Sequence, residues 1–137
     1  MHSANFVDTN IWVYAHLRAP HEPKHPLALA FVKHLKNGVV SPQVIAEYYN
    51  VMLRNGKDDA WIQTNLAVIL SYTRLQALDA SVVQRALWIR NRYGYSYWDC
   101  QIVAAAMEAG CTLLYSEDMQ TGQIIDGVLT VLNPFLS

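Results

Sequence analysis

Near the start of the chain an apolar run, Phe6-Val7, climbs to an aspartate, Asp8; after Thr9 and Asn10 a second apolar segment, Ile11-Trp12-Val13-Tyr14, resumes. This reads as the end of a buried strand followed by the start of a helix, which sets Asp8 at the carboxyl end of the first strand. In open α/β sheets that edge is where ligands and chemistry collect. A carboxylate there is costly to bury unless a cation or hydrogen-bond donors satisfy it. The rest of the chain is therefore read for further carboxylates arriving at the same edge.

The pattern that follows is helical segments in pairs between short apolar runs. A helix is expected from about Asn10 to Leu17, then a loop over Ala19-Pro20-His21-Glu22-Pro23-Lys24-His25-Pro26, whose three prolines break regular structure. His16, His21 and His25 invite a metal reading, but a proline-broken loop is a poor holder of rigid ligand geometry. Leu27 to Lys36 has a helical period with Leu27, Ala30, Phe31, His34 and Leu35 on one face, and Asn37-Gly38 stops it. Val39-Val40 is a brief second strand. Ser41-Pro42 opens the next helix, serine as N-cap and proline in the first turn, with Val44, Ile45, Tyr48, Val51 and Met52 as its apolar stripe. Asp58 or Asp59 caps a helix running to about Tyr72, Leu75 to Leu78 is a third strand, and Asp79 or Ser81 caps a helix to about Tyr93. Ser96 leads into the most helix-like stretch, Cys100 to Ala109, closed by Gly110. Thr112 to Tyr115 is a strand, Met119 to Asp126 a loop or short helix, and Val128 to Leu132 a last strand. The crossovers are long enough for parallel pairing, so the expectation is an α/β fold with a mostly parallel sheet between helical layers.

Composition limits the function. At 137 residues the chain fits one domain, 1–137, with 53% hydrophobic and 15% charged residues, a balance that suits a packed core. There is no apolar run long enough for a membrane span and no signal-peptide pattern at the N-terminus, which gives the expectation of a cytoplasmic protein. Cys100 and Cys111 suit neither a disulfide framework nor a zinc site. A formal net charge of −1 excludes a strongly basic coat for nucleic acid, though not an enzyme that acts on nucleic acid through a local basic patch.

Four acids fall at the expected edge: Asp8 after the first strand, Glu47 in the second turn of a helix, Asp99 in the first turn of another, and Asp118 just past the strand ending at Tyr115. Right-handed crossovers bring all of them to one side of the sheet. Each has a plainer explanation: Glu47 as a rim residue, Asp99 as the acid of a capping box opened by Ser96. Together they carry a cost, because two like charges about 4 Å apart repel by roughly 4 kcal/mol at an effective dielectric near 20. Such a site must hold a proton or a cation. All-oxygen ligands favour Mg²⁺ or Mn²⁺ over zinc, and metal-assisted phosphodiester hydrolysis follows. Carboxylate spacing alone does not separate this from a phosphatase.

These residues carry a resemblance. Val7-Asp8-Thr9-Asn10, Glu47 after Ser41-Pro42, Trp98-Asp99 opening a helix, and Leu114-Tyr115-Ser116-Glu117-Asp118 resemble the four acidic motifs of a PIN domain. The ending Gly122 to Gly127 followed by Val131-Leu132-Asn133-Pro134-Phe135 is similar to the tails of VapC-type toxins. The resemblance implies a three-layer α/β/α sandwich and a Mg²⁺- or Mn²⁺-dependent endoribonuclease that cuts RNA, is silenced by a cognate antitoxin and commonly forms a homodimer. It implies Asp8, Glu47, Asp99 and Asp118 as catalytic and metal-binding acids, with Thr9, Asn10 and Ser116 hydrogen-bonded behind them and Glu117 pointing elsewhere. Arg18, Lys24, Arg54 and Lys57 are candidate RNA phosphate contacts, each also readable as solvated surface charge.

Two other readings stay open. One is a metal-dependent phosphatase or phosphotransfer domain with Asp8 as nucleophile; against it, the second acid usual two residues after such a nucleophile is here Asn10. The other is a non-catalytic interaction module whose acids bind a metal or a partner's arginine.

Overall fold

The computed structural model describes residues 3–18 and 23–136. Their elements run β1 (Ala4–Val7), α1 (Thr9–His16), α2 (Lys24–Lys33), β2 (Gly38–Val40), α3 (Pro42–Arg54), α4 (Asp59–Ser71), β3 (Arg74–Leu75), α5 (Ala80–Tyr93), α6 (Tyr97–Glu108), β4 (Cys111–Tyr115), β5 (Ile124–Ile125) and β6 (Leu129–Leu132). The strands form one sheet in the order β3-β2-β1-β4-β6-β5. All neighbouring pairs are parallel except β5 with β6. With helices on both faces this is a three-layer α/β/α sandwich.

The strand order explains why the first strand matters most. β1 pairs with β2 on one side and with β4 on the other, so the chain leaves it in one direction and returns much later on its opposite flank. A crevice opens at such a switch point, outside the carboxyl ends of the strands. Phe6 and Val7 are completely buried, as a strand covered on both faces requires. The backbone N–H of Asp8 still donates to the Tyr115 carbonyl at 2.9 Å, which carries the ladder one residue past β1 and locks the aspartate against the end of β4.

Several sequence expectations need correction. β5 falls inside the stretch expected to be a loop or short helix; it is only two residues long and is held by the β6 edge. The third strand is Arg74–Leu75, earlier and shorter than Leu75 to Leu78, because Gln76 donates its N–H to Val40 at 2.8 Å and the chain then leaves the sheet. Helix α2 takes in Lys24, His25 and Pro26, where the prolines predict loop. Pro26 lies in the first turn, where its missing N–H has no helical acceptor to lose. Part of that predicted loop, including His21, lies outside the described residues. The buried residues of α2 are Ala28 and Val32, with Phe31 and Leu35 half-buried beside them, while Leu27, Ala30 and His34 are exposed; α2 packs mainly on α1, and that contact turns the helix so that a face displaced from the expected one is buried.

The caps follow their chemistry more closely. Asp58 accepts from the Trp61 N–H at 2.8 Å and Asp79 from the Val82 N–H at 3.1 Å. Gly94 closes α5 at φ 74°, in the left-handed region that suits glycine. Ser41 occupies the N-cap position of α3, but its side chain makes no capping bond and its Oγ is buried with no partner among the described residues. None of the described helices is long and apolar enough to cross a membrane.

Candidate active site

Asp8, Glu47, Asp99 and Asp118 line one cleft of about 290 Å³ at the carboxyl edge of the sheet, together with Thr9, Asn10, Gln43, Asn50, Val51, Arg54 and Ile102. Four stretches of sequence, far apart in the chain, supply these acids. Asp8 caps α1, with its backbone extended and its Oδ1 accepting from the Thr9 N–H at 2.7 Å. Glu47 projects from α3 and accepts from the Thr9 hydroxyl at 2.8 Å. Asp99 sits in the first turn of α6, where its N–H donates to the Ser96 hydroxyl at 3.2 Å. That is half of the capping box, and the residue lines the cleft as well, so its capping position does not take it away from the cleft. Asp118 follows β4, its N–H donating to Ser116 Oγ at 3.2 Å.

Ser116 ties the first and last acids together. Its hydroxyl donates to Asp8 Oδ2 at 2.9 Å while its oxygen accepts from the Asp118 backbone, and the side chain is fully buried. Asn10 Nδ2 donates to both Asp118 oxygens, at 3.3 and 3.1 Å. Thr9 and Ser116 thus each bond two of the acids, and Asn10 bonds one. Both oxygens of Asp8 are engaged, an arrangement that orients a carboxylate as a ligand and disfavours it as a nucleophile.

The electrostatics are strained. Burial pushes the Asp8 carboxyl up to about 6 from its ordinary 3.8, against the lowering effect of the Thr9 and Ser116 hydrogen bonds, and the charges of Asp118 and Glu47 add to the rise. Asp118 is also raised, first by burial and then by Glu117, Asp99 and Glu47. The two ion pairs found among the described residues, Lys24–Glu117 at 2.7 Å and Arg85–Glu108 at 3.2 Å, involve none of the four acids. Arg54 lines the cleft without pairing to one.

In the metal-free protein the raised Asp8 carboxyl makes stability depend on pH. Below about pH 3 Asp8 is protonated whether folded or not; from there to about 6 the unfolded chain ionises while the folded one resists, so stability falls as pH rises. A rise from 3.8 to about 6 corresponds to about 3 kcal/mol. Urea unfolding in EDTA is expected to show wild type losing that amount relative to Asp8→Asn between about pH 3 and 7. Parallel curves for the two proteins would refute it.

The residues present fit a hard divalent ion. The acids' donors are all oxygen, no ion pair among the described residues involves them, and the cleft has room for an ion that keeps part of its water shell. Among the described residues no group of three or more acids, histidines or cysteines stands close enough to enclose an ion by itself. An ion here would be held by a subset of the four carboxylates and by water, in the manner of magnesium.

The candidate phosphate contacts separate. Arg54 lines the cleft. Lys24 does not; its ammonium donates to Glu117 at 2.7 Å and lies 5.0 Å from the Tyr14 ring, so Glu117 is turned away from the cleft, as the resemblance implies. Lys57 does not line it either and lies 5.0 Å over the Trp61 ring. Arg18 is exposed beyond α1, outside the cleft lining. His16 bonds the Tyr48 hydroxyl at 2.7 Å and His25 the Tyr14 carbonyl at 2.8 Å. Sequence reasoning missed Gln43 and Asn50. The signal was there, because Gln43, Glu47, Asn50 and Arg54 recur at helical spacing and form a polar stripe beside the apolar one.

The chain matches the PIN domain over residues 6–123. It belongs to the PIN domain family. Solved structures agree on the fold at low identity. A Mycobacterium tuberculosis VapC toxin described as cleaving the sarcin-ricin loop is 19% identical, with a TM-score of 0.68 over 82% of this chain and 88% of that one. A toxin–antitoxin complex from Klebsiella pneumoniae is 19% identical, with a TM-score of 0.71 over 97% and 98%. A VapBC complex from Rickettsia felis, bound to a DNA fragment from its promoter, is 19% identical, with a TM-score of 0.63 over 95% and 98%. No curated protein sequence gives a significant match.

Proposed function

We propose that this PIN domain is a Mg²⁺- or Mn²⁺-dependent endoribonuclease and the toxin of a toxin–antitoxin pair. The observation that carries the reading is the shared cleft: four acids from distant parts of the chain, one of them buried and, among the described residues, none paired with a cation. A proton or a cation relieves the cost of that arrangement, and at neutral pH, above the raised range of Asp8, a bound cation does so without discharging the acids. The toxins and toxin–antitoxin complexes among proteins of this fold support the biological role and a cognate antitoxin as partner. A homodimer is part of the proposal.

The ion, when bound, supplies positive charge where negative charge builds on the phosphate and makes water more acidic. The chain's own residues do the rest. Ser116 and Thr9 hold Asp8 in one orientation, Asn10 holds Asp118, and Thr9 also holds Glu47. In the reaction an oxygen–phosphorus bond forms from water, the bond from phosphorus to one ribose oxygen breaks, and the leaving oxygen takes a proton. The carboxylates lining the cleft are the acceptors at hand for the proton that water loses. Arg54 is the cleft's cation for a substrate phosphate.

Purified protein is expected to cut single-stranded RNA with Mg²⁺ or Mn²⁺ and to stop when EDTA is in excess, the products being mapped by sequencing the new RNA ends. Cutting that persists in EDTA would remove the metal from the proposal. A protein that binds the ion and a partner yet leaves every RNA intact would make the site an interaction module.

A further inference from the structure

Beside the acid cleft runs a second groove, of about 450 Å³, lined by Pro42, Ala46, Leu78, Trp98 and Gln101, and by Gln43, Glu47 and Asn50, which it shares with the cleft. We infer that this groove takes an unpaired nucleobase of the RNA, stacked on Trp98, next to the phosphate in the acid cleft. The inference rests on the nuclease reading for the identity of its ligand and goes beyond it in naming a base subsite.

Trp98 is the residue that needs explaining. It is 64% exposed, the most exposed of the large hydrophobic side chains in the described chain, although it is adjacent to Asp99 and at the mouth of the site. Its backbone is fixed. Gln43 Nε2 donates to the Trp98 carbonyl at 3.1 Å, Gln101 Nε2 donates to Gln43 Oε1 at 2.8 Å, and the Tyr97 hydroxyl donates to Gln101 Oε1 at 3.1 Å. This chain of bonds ties the first turn of α6 to α3, so Trp98 and the carboxylate of Asp99 are carried on one braced backbone. A flat ring carried on that backbone, edge-on to the Tyr97 ring at 5.8 Å, leaves a face open for stacking.

The setting favours a base over an apolar side chain. The groove is apolar on its floor, with Pro42, Ala46 and Leu78, and amide-bearing on the side it shares with the cleft, with Gln43 and Asn50. A nucleobase has the matching division, an apolar face and a hydrogen-bonding edge. Continuity with the acid cleft gives the geometry: a chain whose phosphate lies against the acids has its neighbouring base at the shared wall. Stacking is tolerant of sequence, since every base has a face to offer.

The test uses binding, so that it does not depend on cutting. Affinity for a short fluorescein-labelled single-stranded RNA is measured by anisotropy with Asp8→Asn protein in Mg²⁺, alongside a strand of the same sugar-phosphate backbone without bases. The parent is expected to prefer the base-bearing strand by about ten-fold. Adding Trp98→Ala is expected to abolish that preference by weakening the base-bearing strand alone, while Trp98→Phe retains most of it. Equal binding of both strands by the parent, no measurable RNA affinity, or an unchanged preference in Trp98→Ala each overturns the inference. So does a Trp98→Ala protein whose sedimentation changes while its RNA binding does not, which would give the groove to a second copy of the chain. The two readings fail separately. Base preference absent while wild type still cuts with Mg²⁺ removes the subsite alone; base preference present while wild type never cuts removes the nuclease alone.

Discussion

Asp8→Asn is expected to slow RNA cleavage by about a thousand-fold or more while leaving the protein folded. Asp8 is 8% exposed, sits where β1 hands over to α1, and is held at both oxygens by Thr9 and Ser116. Asparagine preserves the shape and keeps an oxygen for the Thr9 N–H, but it brings no charge. A bound ion contributes several kcal/mol of charge stabilisation in the transition state, and each 1.36 kcal/mol is a factor of ten in rate; losing about 4 kcal/mol therefore gives about a thousand-fold. The same substitution removes a carboxylate that burial opposes, so in EDTA at neutral pH the variant is expected to unfold at a higher urea concentration than wild type. Initial rates of RNA cutting and urea midpoints, measured on the same preparations, check both halves. A variant that cuts within ten-fold of wild type would show that Asp8 is not central to the chemistry. A variant that does not fold would show that the charge is structural.

Trp12→Ala is expected to lower stability by about 3–5 kcal/mol, a large share of the roughly 5–15 kcal/mol that holds a domain together. Trp12 is completely buried, its ring meets Tyr72 edge-on at 6.0 Å, and its Nε1–H donates to the Val7 carbonyl at 3.2 Å. The last contact makes it a support for the site. It fastens α1 back onto the end of β1, and Asp8 is the residue between them. Removing the ring leaves a cavity and takes a donor from a buried carbonyl, so the loss exceeds a transfer term alone. Trp12→Phe, which fills most of the volume and loses the N–H, is expected to cost less. Leu87→Ala, at a side chain 51% exposed, is expected to change stability by under about 0.5 kcal/mol. Guanidinium unfolding of the three variants orders them; a Trp12→Ala loss no larger than that of Leu87→Ala would contradict this packing.

Much of the site is legible in the residues because its chemistry is tied to local signals. Asp8 ends a strand and caps a helix, Asp99 follows a serine N-cap by three, and Asp118 follows a strand by three residues. Each of those positions is set by short-range rules, and right-handed crossovers then send them to one edge. Where periodicity is the only guide, the prediction is weaker. It selects a displaced face for α2, whose fully buried residues are Ala28 and Val32, and it passes over β5, a two-residue strand that exists only because β6 supplies an edge to pair with. The polar stripe of α3 is visible at helical spacing, but nothing in a linear chain says that Gln43 will reach across to the Trp98 carbonyl.

By itself, then, the order of residues determines an alternation of strands and paired helices, a mostly parallel sheet, and acids at the strand and helix ends that meet at one edge. Those follow from backbone propensity, capping chemistry and the handedness of crossovers, all of which act over short stretches. Only the tertiary structure decides that β1 lies between β2 and β4, so that the crevice opens beside Asp8. It alone sorts Arg54 into the cleft and Lys24 into an ion pair with Glu117, and sets Trp98 in the open beside the acids. These are contacts between residues tens of positions apart, and their energies are fixed by which surfaces the packed core leaves facing one another.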